Sequence, residues 1–171
     1  FSILFISSDF EEILGVCDRI VVLTEGRVAA SVPARLLDEE KLTMFAAPRT
    51  SAEKTHRTLT DMTAQFPAAA AYWVYIDRGS VYCFNLSEGE RVSGLGFEAG
   101  QVIPLGETCL DLFTASDEVQ EFSSNDLFSL LVPIRNHRGQ NMGYIGMSEP
   151  LASRSPGDAA KVSGMIRQLM N

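Results

Sequence analysis

Two histidines, His56 and His137, and three cysteines, Cys17, Cys83 and Cys109, are the residues whose types could ligate a metal or act as nucleophile and base. Metal ligands usually come in pairs two to five residues apart, or as CxxC, so that a short turn brings them to one point. Neither histidine has such a neighbour unless Asp61 is counted at the limit of that spacing, and no CxxC occurs. The sequence therefore predicts no metal centre. A nucleophile elbow would read GxSxG, which is absent. A phosphate cradle would wrap the backbone N–H groups of a glycine-rich loop around the anion. SGLGF, residues 93–97, has the glycines but neither GxGxxG nor GxxxxGK[ST], and reads as a flexible loop. Glu88, Glu90 and Glu98 lack the alternating Asp and Asn of a calcium loop and are expected on a solvated surface.

What remains is binding. Small-molecule sites need aromatic or apolar walls with a few polar groups, and Trp73, Tyr75, Tyr82, Cys83, Phe97 and Cys109 are the candidates for a ligand pocket. In a strand over AAYWVYID (70–77), Trp73 and Tyr75 share one face and Tyr72, Val74 and Ile76 the other. One face must pack on helices, and the other could line a cavity beneath residues 85–100. Alternation does not say which is which.

The elements that would position these residues follow from periodicity. SILFIS (2–7) has the unbroken apolar run of a buried strand, and Asp9 with Glu12 has the spacing of a helix N-terminus. Phe10, Ile13, Leu14 and Cys17 then recur at helical intervals. IVVL and VAASV flank TEGR as a hairpin turning at Gly26, and residues 33–46 read as a helix with Asp38 as cap and Leu42 and Phe45 on one face. APRTSAEK (47–54) is the expected linker between two units.

Beyond it, a helix through Phe66 carries Leu59, Met62 and Phe66 on one stripe. Strands are expected at 70–77 and 80–84, then a surface loop over 85–100, a strand at QVIPL, a short helix at ETCLDLF and an edge strand at VQEF. DLFSLLVPI and GYIGMSE form an antiparallel pair around NHRGQNM. Ser155, Pro156 and Asp158 open a last helix that buries Val162, Met165, Ile166, Leu169 and Met170. The second unit, 55–171, is thus predicted as α+β, with terminal helices against an antiparallel sheet.

At 171 residues and 46% apolar content the chain can bury a core without disulfides or metal. The net charge of −8, from 22 acidic and 14 basic residues, disfavours nucleic acid and anionic membrane surfaces as direct partners. Three scattered cysteines are not a disulfide framework, and the chain reads as a cytoplasmic one. No apolar run reaches the ~20 residues that cross a bilayer.

Over residues 1–46, ILFISSD-x-EE-x-L-x-x-CDRI-x-V-x-x-EGR resembles the C-terminal tail of an ABC-transporter ATPase domain, running from the switch-loop strand to the final hairpin. The wording is nearest to the second ATPase half of ribose- and galactose-type sugar importers. The resemblance explains a chain that opens on an apolar strand, and it implies ATP and Mg for the parent ATPase. It also implies as partners the remainder of the ATPase subunit and the membrane permease subunits, and a place at the cytoplasmic side of the inner membrane. Competent members have a histidine at the position of Ser8 that reaches the γ-phosphate. A serine hydroxyl cannot span that gap, and loss of one such contact costs roughly 100- to 1000-fold in rate. Ser8 thus marks a degenerate half-site. With no phosphate loop, no catalytic Glu after an apolar strand and no LSGGQ-like signature, the chain alone is expected neither to hydrolyse ATP nor to carry a cofactor.

Over roughly residues 53–171, the element order and SLLVPIRNHRGQNMGYIGMSEP resemble a GAF-like sensory domain. The NKxDE-type signature of cyclic-nucleotide binders is missing, as is a bilin-attachment context for a cysteine. The resemblance implies a regulatory domain that binds a small molecule or a partner. A rival expectation is a ligand-free interaction module that forms a homodimer through its terminal helices. Residues 1–46, without the sheet neighbours of a complete ATPase domain, are expected to dock elsewhere or exchange with a second copy.

Overall fold

A computed structural model of the chain describes residues 1–24, 26–46, 50–90, 92–135, 138–155 and 157–170, and the side chains of these except Arg27, Met44, residues 50–53, Leu169 and Met170. His137, Pro156 and most of the expected linker's distinguishing residues, Pro48 included, lie outside that description. The chain divides into two compact units, Phe1–Glu53 and Lys54–Asn171.

In the first unit, α1 (Phe10–Val16) starts where expected, with Asp9 Oδ1 accepting the Glu12 N–H at 3.0 Å. The reciprocal arm of a capping box is replaced. Glu12 takes the Ser7 hydroxyl at 3.1 Å, and Ser7 Oγ in turn accepts the Asp9 N–H at 3.0 Å. Strands β1 (Arg19–Thr24) and β2 (Arg27–Pro33) form the antiparallel hairpin, with Gly26 at φ +75° in its turn. A single 3₁₀ turn (Ala34–Leu36) leads to α2 (Glu39–Ala46). Asp38 caps it, accepting the Lys41 N–H at 2.8 Å and its ammonium at 2.7 Å. Burial would push the Asp38 carboxyl up; the bonds and charge from Lys41 outweigh this and hold it below its ordinary value. Ile20, Ala34 and Leu42 form the small core, with Phe10, Ile13, Leu14 and Cys17 packed around it.

The expected strand over 2–7 does not form. Residues 1–6 are exposed and have no ladder partner, with Ile3, Leu4 and Ile6 at least 80% accessible. A buried parallel strand exists only between flanking strands, and the two described in this unit pair with each other.

The second unit is the expected α+β fold. Helix α3 (Thr50–Gln65) begins within the presumed linker and buries Leu59 and Met62. Then follow β3 (Ala70–Asp77), β4 (Ser80–Glu88), β5 (Val102–Pro104), β6 (Gln120–Ser124), β7 (Leu127–Arg135), β8 (Asn141–Pro150) and α4 (Asp158–Met170). The strands make one antiparallel sheet in the order β5-β4-β3-β8-β7-β6. Strand β4 outlasts the expected 80–84, because Asn85, Leu86 and Ser87 pair with Trp73, Tyr72 and Ala71. The helix expected at ETCLDLF is instead a 3₁₀ turn (Leu105–Glu107) followed by tight turns. Thr108 explains this. Its hydroxyl donates to the Leu105 carbonyl at 2.8 Å and accepts the Leu110 N–H at 3.1 Å, offering the backbone an alternative to helix. At the start of α4, Ser155 contributes its backbone, its N–H donating to Asp158 Oδ2 at 2.9 Å.

Candidate functional site

The sheet of the second unit has two unlike faces. Thr63 on α3 lies 2.9 Å from the Ser87 hydroxyl on β4, and His56 Nδ1 lies 3.4 Å from Asn85 Oδ1, so α3 covers the face carrying Asn85 and Ser87. Helix α4 packs on β7 and buries Val162 and Ile166. The opposite face carries Tyr72, Val74, Cys83 and Tyr144 and is covered by the long connection between β4 and β6. That connection contributes Leu95, Phe97, Cys109 and Leu110 to a common core, with Phe113 at its edge.

This division separates the six residues singled out above. A register shift between Trp73 and Val74 leaves Phe84 as an extra residue in β4. Trp73 stacks on Phe84 (centroids 4.6 Å), and Phe84 meets Tyr82 edge-on at 4.9 Å. Tyr75 pairs with Tyr82 across the strands. Trp73, Tyr75 and Tyr82 therefore belong to the helix-side face, where the Trp73 N–H is satisfied by the Met142 carbonyl at 3.1 Å. Cys83, Phe97 and Cys109 are brought together on the other face, around Tyr72, whose ring meets Phe97 edge-on at 5.1 Å.

At the centre of that second group is a buried polar cluster. Ser148 Oγ lies 2.7 Å from the Tyr72 hydroxyl, 2.8 Å from Ser129 Oγ and 3.5 Å from Cys109 Sγ. All four residues are fully buried. Neighbouring β8 has Gly146 beside Tyr72, where a Cβ would collide with the phenol ring and lie 2.6 Å from Leu131 Cδ2. Desolvation dominates the electrostatics. It pushes the Tyr72 phenol well above its ordinary value, with Cys109 adding to it, and outweighs the hydrogen bonds that favour the Cys109 thiolate. Cys83 is pushed up to about 12 by the same cause. The buried charged side chains, Lys41, Glu149 and Asp158, are outside this cluster. Neutral hydroxyls and unreactive thiols are equipped to exchange hydrogen bonds, not to attack a bond.

The covering connection is tied to the sheet through β5, which pairs with β4, and by the Leu105 N–H donating to the Gly79 carbonyl at 2.8 Å. Gly100 N–H donates to the Cys83 carbonyl at 2.8 Å and Cys109 N–H to the Leu95 carbonyl at 2.9 Å. Gly94, Gly96 and Gly100 all have positive φ. Its outer side has a depression of about 280 Å³ lined by residues 93–98, Glu88 and Gln101, with Gln101 Nε2 donating to Glu98 at 3.2 Å. Among the described residues no three His, Cys, Asp or Glu side chains gather as a metal site.

Tyr72, Ser129 and Ser148 were not singled out from the sequence. Their signal was there: a serine inside LFSLLV and another inside YIGMSE interrupt strands that are otherwise apolar on both faces. A polar residue at a buried strand position is the informative departure.

No protein-family model matches the chain. Over 51 residues it is 45% identical to the arabinose import ATP-binding protein AraG 1 of Burkholderia lata, and equally so to the ribose import ATP-binding protein RbsA 2 of Streptomyces avermitilis. Over 50 residues it is 44% identical to the arabinose import ATP-binding protein AraG of Escherichia coli O157:H7. These matches take in 29–30% of the chain. The chain spans about a tenth of the length of these curated relatives, 10% in each case.

Among solved structures, the fold is similar to the IclR of Thermotoga maritima (TM-score 0.52, 11% identity, 94% of this chain and 79% of that one). It is also similar to HmgR of Pseudomonas aeruginosa (0.52, 9%, 94% and 80%) and to a chain of the E. coli DhaR(N)–DhaL complex (0.55, 12%, 79% and 51%). At such identities the likeness is one of fold. Part of the chain is thus similar to sugar-importer ATP-binding proteins, while its fold is that of GAF- and IclR-type domains.

Proposed function

We propose that the second unit is a small-molecule sensing domain that reports to a sugar-importer ATPase, its ligand entering between the sheet and the β4–β6 connection. The observation that carries this reading is the Tyr72–Ser129–Ser148–Cys109 cluster: four polar side chains placed together in a core where apolar residues would pack at no desolvation cost. Cys83 and Phe97 stand beside it as walls. Its neutrality favours a ligand that presents hydroxyl or carbonyl groups there. The likeness to arabinose and ribose import ATP-binding proteins supports the transporter half of the reading, in which ATP and Mg are bound by the remainder of the ATPase subunit and the permease subunits are membrane partners. That setting places the chain on the cytoplasmic side of a membrane complex. No helix among the described residues is long and apolar enough to cross a membrane.

A thermal-shift screen of the whole chain against pentoses, hexoses, sugar phosphates and nucleotides tests this. A ligand at 100 times its dissociation constant adds about 2.7 kcal/mol, a shift of several degrees for a unit of this size. A flat screen on a folded protein whose mass rises with concentration would replace the reading with an interaction module that dimerises the subunit.

A further inference from the structure

On the helix-side face, away from the hydroxyl cluster, Glu149 is 2% exposed and its Oε1 has no hydrogen-bond partner among the described residues. It stands near the end of β8, directly across from Phe128 on β7. The chain then turns through a 3₁₀ segment (Leu151–Ser153) into α4, whose first residue is Asp158, also buried at 8% exposure. A buried carboxylate is normally paired or fully hydrogen-bonded, because its desolvation otherwise outweighs what its neighbours return. For Glu149 the neighbouring charge of Asp158 instead disfavours the ionised form.

The charged groups around it are few. From α4 comes Asp158, whose Oδ2 is engaged by the Ser155 N–H at 2.9 Å. From the turn comes Arg154, but its guanidinium carbon sits over the Phe128 ring, 3.7 Å from the centroid, and its Nη2 lies 3.7 Å from Glu121 Oε2 of β6. β7 contributes only the Phe128 ring at this point, and Lys161, one turn further along α4, is exposed.

We propose that Glu149 and Asp158 form a proton-operated latch that docks the start of α4 onto the sheet, closed when Glu149 carries a proton and loosened when it ionises. The protonated carboxyl is neutral and carries one O–H donor that the carboxylate lacks. Ionisation sets two negative charges together out of water. Burial is the main cause that raises the Glu149 carboxyl above its ordinary value, and Asp158 adds to it, while Arg154 opposes. A group raised in this way keeps α4 docked at low pH, and the docking is lost as pH climbs through the folded-state value, upward from the ordinary 4.5.

Hydrogen exchange of the whole chain, read as protection factors for residues 158–170 across pH 5 to 8, tests the latch. The wild type should lose protection as pH rises, by about tenfold for each unit by which Glu149 is raised. Glu149→Gln, neutral at every pH, should hold the acid-state protection throughout. Asp158→Asn, which keeps an acceptor for the Ser155 N–H but removes the second charge, should show a smaller loss over the same range. It keeps Glu149 in place and so serves if Glu149→Gln fails to fold. Flat wild-type protection, or a wild-type slope surviving in both variants, would overturn the proposal.

Discussion

Ser148 is the residue on which the candidate site turns. Its Oγ is within reach of Tyr72, Ser129 and Cys109, and Ser129 in turn hydrogen-bonds Tyr72 and Cys109. Ser148→Ala therefore takes a partner from three buried polar groups and leaves Ser129 to serve both Tyr72 and Cys109, whereas Tyr72→Phe removes one group and leaves Ser148 and Ser129 paired. An unsatisfied buried group costs about 1–3 kcal/mol. Chemical denaturation should rank Ser148→Ala as clearly the more damaging of the two. Equal losses would mean that the cluster is packing alone. Aromatic and cysteine side chains drew attention because pockets favour them, and three of the six, Trp73, Tyr75 and Tyr82, lie on the helix side. The more telling feature was a small hydroxyl inside an apolar strand.

At the scale of elements, the covering connection between β4 and β6 decides access. Among its described residues it has no α-helix, since Thr108 diverts the backbone at the point where ETCLDLF suggested one. Gly96 sets how closely it can lie on itself. With φ +79°, an added Cβ would collide with the Glu107 carbonyl oxygen and stand 2.8 Å from Thr108 Cα. Gly96→Ala should lower stability by roughly 1–3 kcal/mol through overpacking, and raise hydrogen exchange across residues 93–113 more than in α3. Uniform destabilisation, with no excess in that segment, would count against a separable cover. Strand pairs and helices were legible wherever a continuous apolar run or a period of 3.6 went uninterrupted, as in β3, β7, β8 and α1. The 2–7 strand and the 107–113 helix were not, because each depends on something periodicity omits: flanking strands in one case, a side chain competing for backbone bonds in the other.

On the scale of the whole molecule, two units of different resemblance share one chain. Residues 1–46 carry a dense motif, and over a stretch of comparable length the chain is similar to sugar-import ATP-binding proteins. The second unit has no such motif. Its α+β class was legible from element order, yet the two sheet faces could not be told apart until α3 was seen against Asn85 and Ser87. The central claim is that ligand is received on the face opposite the helices. It is tested most directly by a hydrogen-exchange footprint of the chain with and without a saturating mixture of pentoses, hexoses, sugar phosphates and nucleotides. Binding at the proposed site should add protection in residues 93–113 and around Gly146–Ser148 while leaving α3 unchanged. Protection confined to α3 and the Trp73–Tyr82 face, or no protection at all, would contradict it.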